Sequence, residues 1–240
     1  MARRILLAVV AFLGVSSSAF AQRCDAPAGA DSRLAEIDAS ERLDFLRHEI
    51  EREAGRSDLW REAWTGGLGA AIVGTVAVGV TDPNPVRRVD SMVSVTKTLV
   101  PIVQMNVAPP RVIHDAKSLS TPGDAPCTAL ANAEALLMRD ARNEAGVYRW
   151  RTHLLPLAAN LLIAVALGTF LDDNWTPALL GLGAGLVVNE IRMWSQPRDL
   201  VATLERYRAG NLALSRRAAR WTVAPSLARG VPRLTVQIAF

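Results

Sequence analysis

Side chains that commonly carry chemistry are scarce in this chain. Its 240 residues include two cysteines and three histidines, and aromatics make up 5%. The histidines, His48, His114 and His153, are too few and too scattered for a histidine-based metal centre. His48-Glu49 opens like the helical zinc-protease motif, but Arg52 stands where the second histidine belongs, so no ligand pair forms. Gly66-Gly67-Leu68-Gly69 lacks the following Lys-Ser/Thr of a phosphate-cradling loop and lies inside an apolar run. No serine sits in a Gly-x-Ser-x-Gly setting. Asp172 and Asp173 read as a polar turn rather than a cation site. No catalytic, cofactor-binding or metal-binding residue is assigned, no cofactor is expected, and the expected class is non-enzymatic.

Lysine is nearly missing as well. Lys97 and Lys117 are the only two, so arginine supplies 25 of the 27 cations. That preference, rather than a basic surface, sets the isoelectric point near 9.7, because arginine stays protonated across the accessible range. The formal net charge is only +4. Removal of Arg3 and Arg4 with a leader leaves 25 cations against 23 acids. Nucleic-acid binding requires a concentrated basic face, and the sequence has none, so nucleic acid is excluded as a partner.

Hydrophobicity is what the chain has in abundance. Half the residues are hydrophobic, and mean hydropathy is +0.17, which excludes chain-wide disorder. Met1 to Arg4 is a basic start, Ile5 to Val15 is apolar, and Ala19 and Ala21 place small residues at the −3 and −1 positions. This is the anatomy of a secretory signal peptide cleaved after Ala21. Arg23 and Gln22 before Cys24 argue against a lipoprotein. In an oxidising compartment Cys24 and Cys127 form a candidate disulfide. It would close a loop of about a hundred residues, a linkage of ~3–5 kcal/mol in the chain-entropy account.

The pattern downstream predicts a mainly α fold. Two related Gly-rich helical hairpins of membrane grade, amphipathic flanking helices and a short C-terminal β-hairpin are expected. The boundaries are 1–21 for the signal peptide, 22–110 for an amphipathic helix and the first hairpin, 111–198 for a second helix and hairpin, and 199–240 for a last helix and the β-hairpin. Ser32 to Arg61 has helical apolar spacing with charges on the other face. Ala63 to Thr81 is a run of nineteen uncharged residues, long enough at about 1.5 Å per residue to cross a hydrocarbon core. Trp60 and Trp64 stand at one end, where interfacial aromatics belong. Ser91 to Val107 is more polar and holds Lys97 and Pro101. Thr152 to Leu171 and Asn174 to Trp194 make the second hairpin. Gly66, Ala70 and Gly74 in the first, with Gly181 and Gly185 in the second, are the candidate helix-packing positions. Asp199 to Ala219 reads as an Arg-rich helix, and alternation from Leu234 to Phe240 as a strand.

The two halves look alike. Glu53-Ala54-Gly55 recurs as Glu144-Ala145-Gly146, Trp60-Arg61 as Trp150-Arg151, and Asp82 as Asp172 or Asp173, at offsets of 90 or 91 residues. This suggests internal duplication, a familiar origin for membrane helical assemblies.

Three arrangements fit. With three spans, the positive-inside rule is satisfied but Cys24 and Cys127 lie on opposite sides. With Ser91–Val107 returning as a fourth arm, both cysteines share one side, at the cost of Lys97 at depth, about 2.5–3.5 kcal/mol on the insertion scale. The duplication and paired cysteines favour this one. In the third, the hairpins form a bundle that spans no lipid. The expected location is the cell envelope, in the inner membrane or periplasm rather than the outer membrane. The expected partners are membrane lipid and either a second copy or another envelope protein. The function anticipated is structural or assembly-related, through Gly-rich helix packing. The alternative is a transporter or channel component with a polar path at Lys97 and Glu190, although both read better as residues at span ends snorkelling to the interface.

Overall fold

A computed structural model describes residues 22–119, 125–147, 149–170, 175–214, 220–228 and 231–239. The expected leader at 1–21, the acidic turn at Asp172-Asp173 and the terminal Phe240 lie outside the described residues.

After one turn of helix at Arg33–Glu36 (α1), the chain forms one continuous helix of 43 residues, Ala39–Thr81 (α2). Asp38 starts it, its side chain accepting the Ser40 N–H at 2.8 Å. No proline follows until Pro83, so nothing stops the helix where the charges end at Glu62. The two segments expected on either side of that point are therefore a single rod about 65 Å long. Its start at Ala39, rather than Ser32, reflects the Asp38 cap.

Pro85–Val107 (α3) returns along α2. Asn84 caps it by accepting the Val86 N–H at 2.9 Å, and Pro85 occupies its first position, so it begins six residues before the apolar pattern does. Arg111–Ser118 (α4) and Pro126–Val147 (α5) follow, then the paired helices Trp150–Phe170 (α6) and Trp175–Trp194 (α7), and finally Leu200–Arg208 (α8). α8 is shorter than the Arg-rich run suggests, because the chain turns at Gly210, whose φ of 70° takes it out of the helix. Beyond the helices, Arg220–Ala228 (β1) and Val231–Ala239 (β2) pair antiparallel in a two-stranded sheet of their own, with Arg220 opposite Ala239.

The helices divide into a headpiece and two hairpin arms. The headpiece joins the first half of α2 to α4, α5 and α8 around Leu34, Leu46, Ile50, Leu130, Leu137 and Tyr207. The arms are the second half of α2 with α3, and α6 with α7. Glycine permits the close approach within each arm. A Cβ on Gly79 would lie 2.6 Å from the Ser91 Cβ, and one on Gly168 would lie 2.6 Å from the Trp175 ring.

Cys24 and Cys127 are disulfide-bonded, with Cα atoms 5.6 Å apart. The bond fastens the N-terminal lead-in to the first turn of α5. The disulfide joins the two cysteines that a three-span path would part, and α3 runs back along α2 toward the headpiece.

Beside the disulfide, Arg42 is fully buried. Its Nε donates to the Tyr207 hydroxyl at 3.1 Å, and its terminal nitrogens donate to the carbonyls of Cys24 at 2.9 Å and Asp25 at 3.1 Å. The Glu134 carboxylate completes the set at 2.5 Å and also accepts from the Tyr207 hydroxyl. Burial, together with Glu134, pushes the Tyr207 phenol above its usual range. Arg42→Met is expected to destabilise the detergent-purified protein by about 3–5 kcal/mol by stranding the Glu134 charge, with most of that recovered in Arg42→Met/Glu134→Leu. Denaturant titration of the three proteins measures both numbers.

Candidate functional site

Where the charges of α2 end, the bases of both arms are tied together. The indole N–H groups of Trp60 and Trp64 donate to the Ser195 hydroxyl at 3.1 and 3.0 Å, bridging α2 to the chain just beyond α7. Arg61 donates to the Asn106 side-chain oxygen at 2.8 Å, and the Asn106 amide donates to Thr65 at 3.2 Å, closing the base of the first arm. In the second arm Glu190 plays the same part. It meets His153 Nδ1 at 2.9 Å and accepts from the Trp194 indole at 3.1 Å. Glu190 thus sits in a belt of tryptophans and polar side chains, the position expected of a charge at an apolar helix's end.

Lys97 does not. It lies midway along α3, twelve residues from Pro85, or about 18 Å of helix. Instead of snorkelling to an end, its ammonium turns inward and donates to the Gly181 carbonyl of α7 at 3.2 Å. Asn160 of α6 faces the same spot. Its amide donates to the Pro156 carbonyl at 2.9 Å, while its Oδ1 has no hydrogen-bond partner among the described residues. A Cβ on Gly185 would lie 2.3 Å from that oxygen and 3.5 Å from the Lys97 ammonium, so any larger residue would have to displace the Asn160 amide. Lys97, Asn160, Gly181 and Gly185 therefore form a polar knot between the two arms, surrounded by apolar helix.

The knot and Glu190 do not meet. Gly181 and Glu190 are nine residues apart on α7, about 13 Å along its axis. Of the five packing positions expected from sequence, only Gly185 is enclosed. A Cβ at Gly66, Gly74 or Gly181 would meet nothing within 4 Å, and Ala70 is exposed. Gly66, Ala70 and Gly74 are all exposed on the first arm. The sequence reading missed Asn160, although an asparagine inside a twenty-residue uncharged run was its signal.

A second polar group lies in the headpiece. Asp140 of α5 is buried, and neither carboxylate oxygen receives a donor among the described residues. It lies against Asp115 of α4, itself paired with Arg139. Burial pushes the Asp140 carboxyl up to about 7, and Asp115 adds to the rise, while Arg139 and Arg111 oppose it. Glu144, half-buried, is pushed up to about 7 by desolvation; its carboxylate accepts the Leu200 N–H at 3.0 Å. Glu53 is raised in the same way by burial and accepts the Asp199 N–H at 3.4 Å. Together the two glutamates satisfy the first amides of α8, whose capping residue Asp199 makes no side-chain cap of its own.

Among the described residues, no cluster of three His, Cys, Asp or Glu is placed to hold a metal ion. The Asp140–Asp115 contact has a definite pH signature. A carboxyl raised from 3.8 to about 7 on folding favours the folded state below its unfolded value and loses that contribution as pH rises toward 7. Asp140→Asn should therefore raise the melting temperature at pH 8 and leave it nearly unchanged at pH 4, as read by thermal unfolding in detergent at both pH values.

No family model, curated protein or solved structure matches the chain.

Proposed function

We propose that this is an exported, non-enzymatic membrane protein of the cell envelope, its disulfide-bonded headpiece outside the cytoplasm and its two arms in lipid, acting as a structural or assembly partner. The observation that carries the reading is uncovered apolar surface. In the arms Val73, Leu155, Leu162 and Leu180 are 70%, 75%, 70% and 69% exposed. α2 and α6 each contain a window long and apolar enough to cross a membrane, with only 11% of it buried in the fold. Water would penalise such a surface at roughly 25 cal/mol per Å², whereas lipid accepts it. The tryptophan belt at the arm bases and the disulfide above it support the same orientation.

The outward row Gly66, Ala70, Gly74 supports assembly. With no covering side chain in its own fold, it suits close approach by a helix of another chain in lipid. Its partner in this reading is a second copy or another envelope protein. The matched 90- and 91-residue offsets, with a long apolar helix, a returning helix and a short headpiece helix occurring twice, support descent from one duplicated unit.

A transporter or channel component is the second reading, and Lys97 favours it, since a cation held at apolar depth is a functional candidate by default.

Membrane fractions washed with carbonate, followed by cross-linking, provide the test. The chain should stay with the membrane, and Gly74→Leu should lower the cross-linked oligomer severalfold while leaving accumulation unchanged. Release by carbonate as a detergent-free monomer would overturn the membrane reading. Lys97→Gln separates the alternatives: a scaffold keeps assembling, whereas a conducting protein loses solute flux although it folds.

A further inference from the structure

The flank of the arms carries a groove of about 500 Å³ between α3 and α6. Val89, Met92, Val93 and Ile163 form its apolar walls, with Arg88 near the Asp82–Pro85 turn and the Lys97 stem at the far end. The two arginines at the turn are not alike. Arg87 pairs with Asp82 at 3.6 Å, whereas no ion pair engages Arg88 among the described residues. Asp90, two residues on, is about 200° around the helix from Arg88 and so points away from it.

We propose that this groove binds an anionic phospholipid. Arg88 lies in the first turn of α3, at the tip of the arm where headgroups would be, and its planar guanidinium suits a phosphate. The apolar walls below it run inward toward Lys97 and fit an acyl chain, which a free phosphate would not use. Basic sites beside transmembrane helices commonly recognise acidic headgroups. Lys97 itself is held by Gly181, so the free cation at the rim selects the headgroup, and the stem of the held one closes the inner end. The inference rests on the membrane reading above and specifies which lipid the arms prefer.

Native mass spectrometry of the full-length protein, with phosphatidylglycerol or phosphatidylcholine added to the micelle, tests it after the carbonate wash. One phosphatidylglycerol per chain should be retained in preference to phosphatidylcholine. Arg88→Gln should weaken that retention about fivefold, Arg87→Gln should not, and Met92→Trp should block it without changing charge. Equal retention of the two lipids, equal losses in Arg87→Gln and Arg88→Gln, or competition by inorganic phosphate alone would overturn the groove. A chain that stays in the membrane yet shows no lipid preference removes this inference only. A chain released by carbonate removes the membrane reading itself.

Discussion

The headpiece is organised around one buried positive charge. Desolvating a guanidinium is costly, and a single carboxylate rarely compensates fully. Arg42 is therefore surrounded by acceptors from every direction: a carboxylate from α5, a hydroxyl from α8 and two carbonyls from the lead-in. They come from three separate parts of the chain, so the ion is fully satisfied only when all three arrive together. The disulfide acts on the same segment, holding Cys24 where its carbonyl meets Arg42.

The same helix that buries Arg42 also becomes the first arm. Across α2 the environment changes while the backbone does not. In its first half Arg42, Glu49 and Glu53 are buried with partners, and beyond Glu62 the charges stop. A helix satisfies its own backbone hydrogen bonds in water and in hydrocarbon alike, so it can cross such a boundary without interruption. In the second unit the charged and the apolar stretch are two separate helices, α5 and α6, which end at Val147 and resume at Trp150. The tryptophan and serine contacts tie the bases of both arms together.

Much of this was readable from sequence because it depends on period and composition. The uncharged runs, the turn prolines and the amphipathic flanks are one-dimensional signals, and the helices appear close to where they predict, whereas the cysteine pair was a candidate that hung on topology. Contacts between distant residues left no such trace. Arg42 looked like one of many surface arginines, and its burial depends on Glu134 and Tyr207, 92 and 165 residues away. Lys97 looked like an interfacial lysine because a helix in isolation offers it only an end to reach. The Gly181 carbonyl that holds it belongs to the other arm. Counting small residues along a helix likewise could not separate enclosed Gly185 from uncovered Gly74.

The repeat gives these contacts an order. Glu53 and Glu144, matching residues of the two units, converge on the first turn of one helix, α8. Two further contacts are related by the same 91-residue offset. Glu49 of α2 pairs with Arg206 of α8 at 3.0 Å, and Asp140 of α5 lies against Asp115 of α4. If the units share an ancestor, one contact has kept opposite charges where the other holds two acids. The α2–α8 side is then closed by an ion pair, whereas on the α4–α5 side burial and the neighbouring Asp115 raise the Asp140 carboxyl. The fold repeats its architecture but not its electrostatics, and the difference falls on α4, the short helix that links the first arm to the second unit.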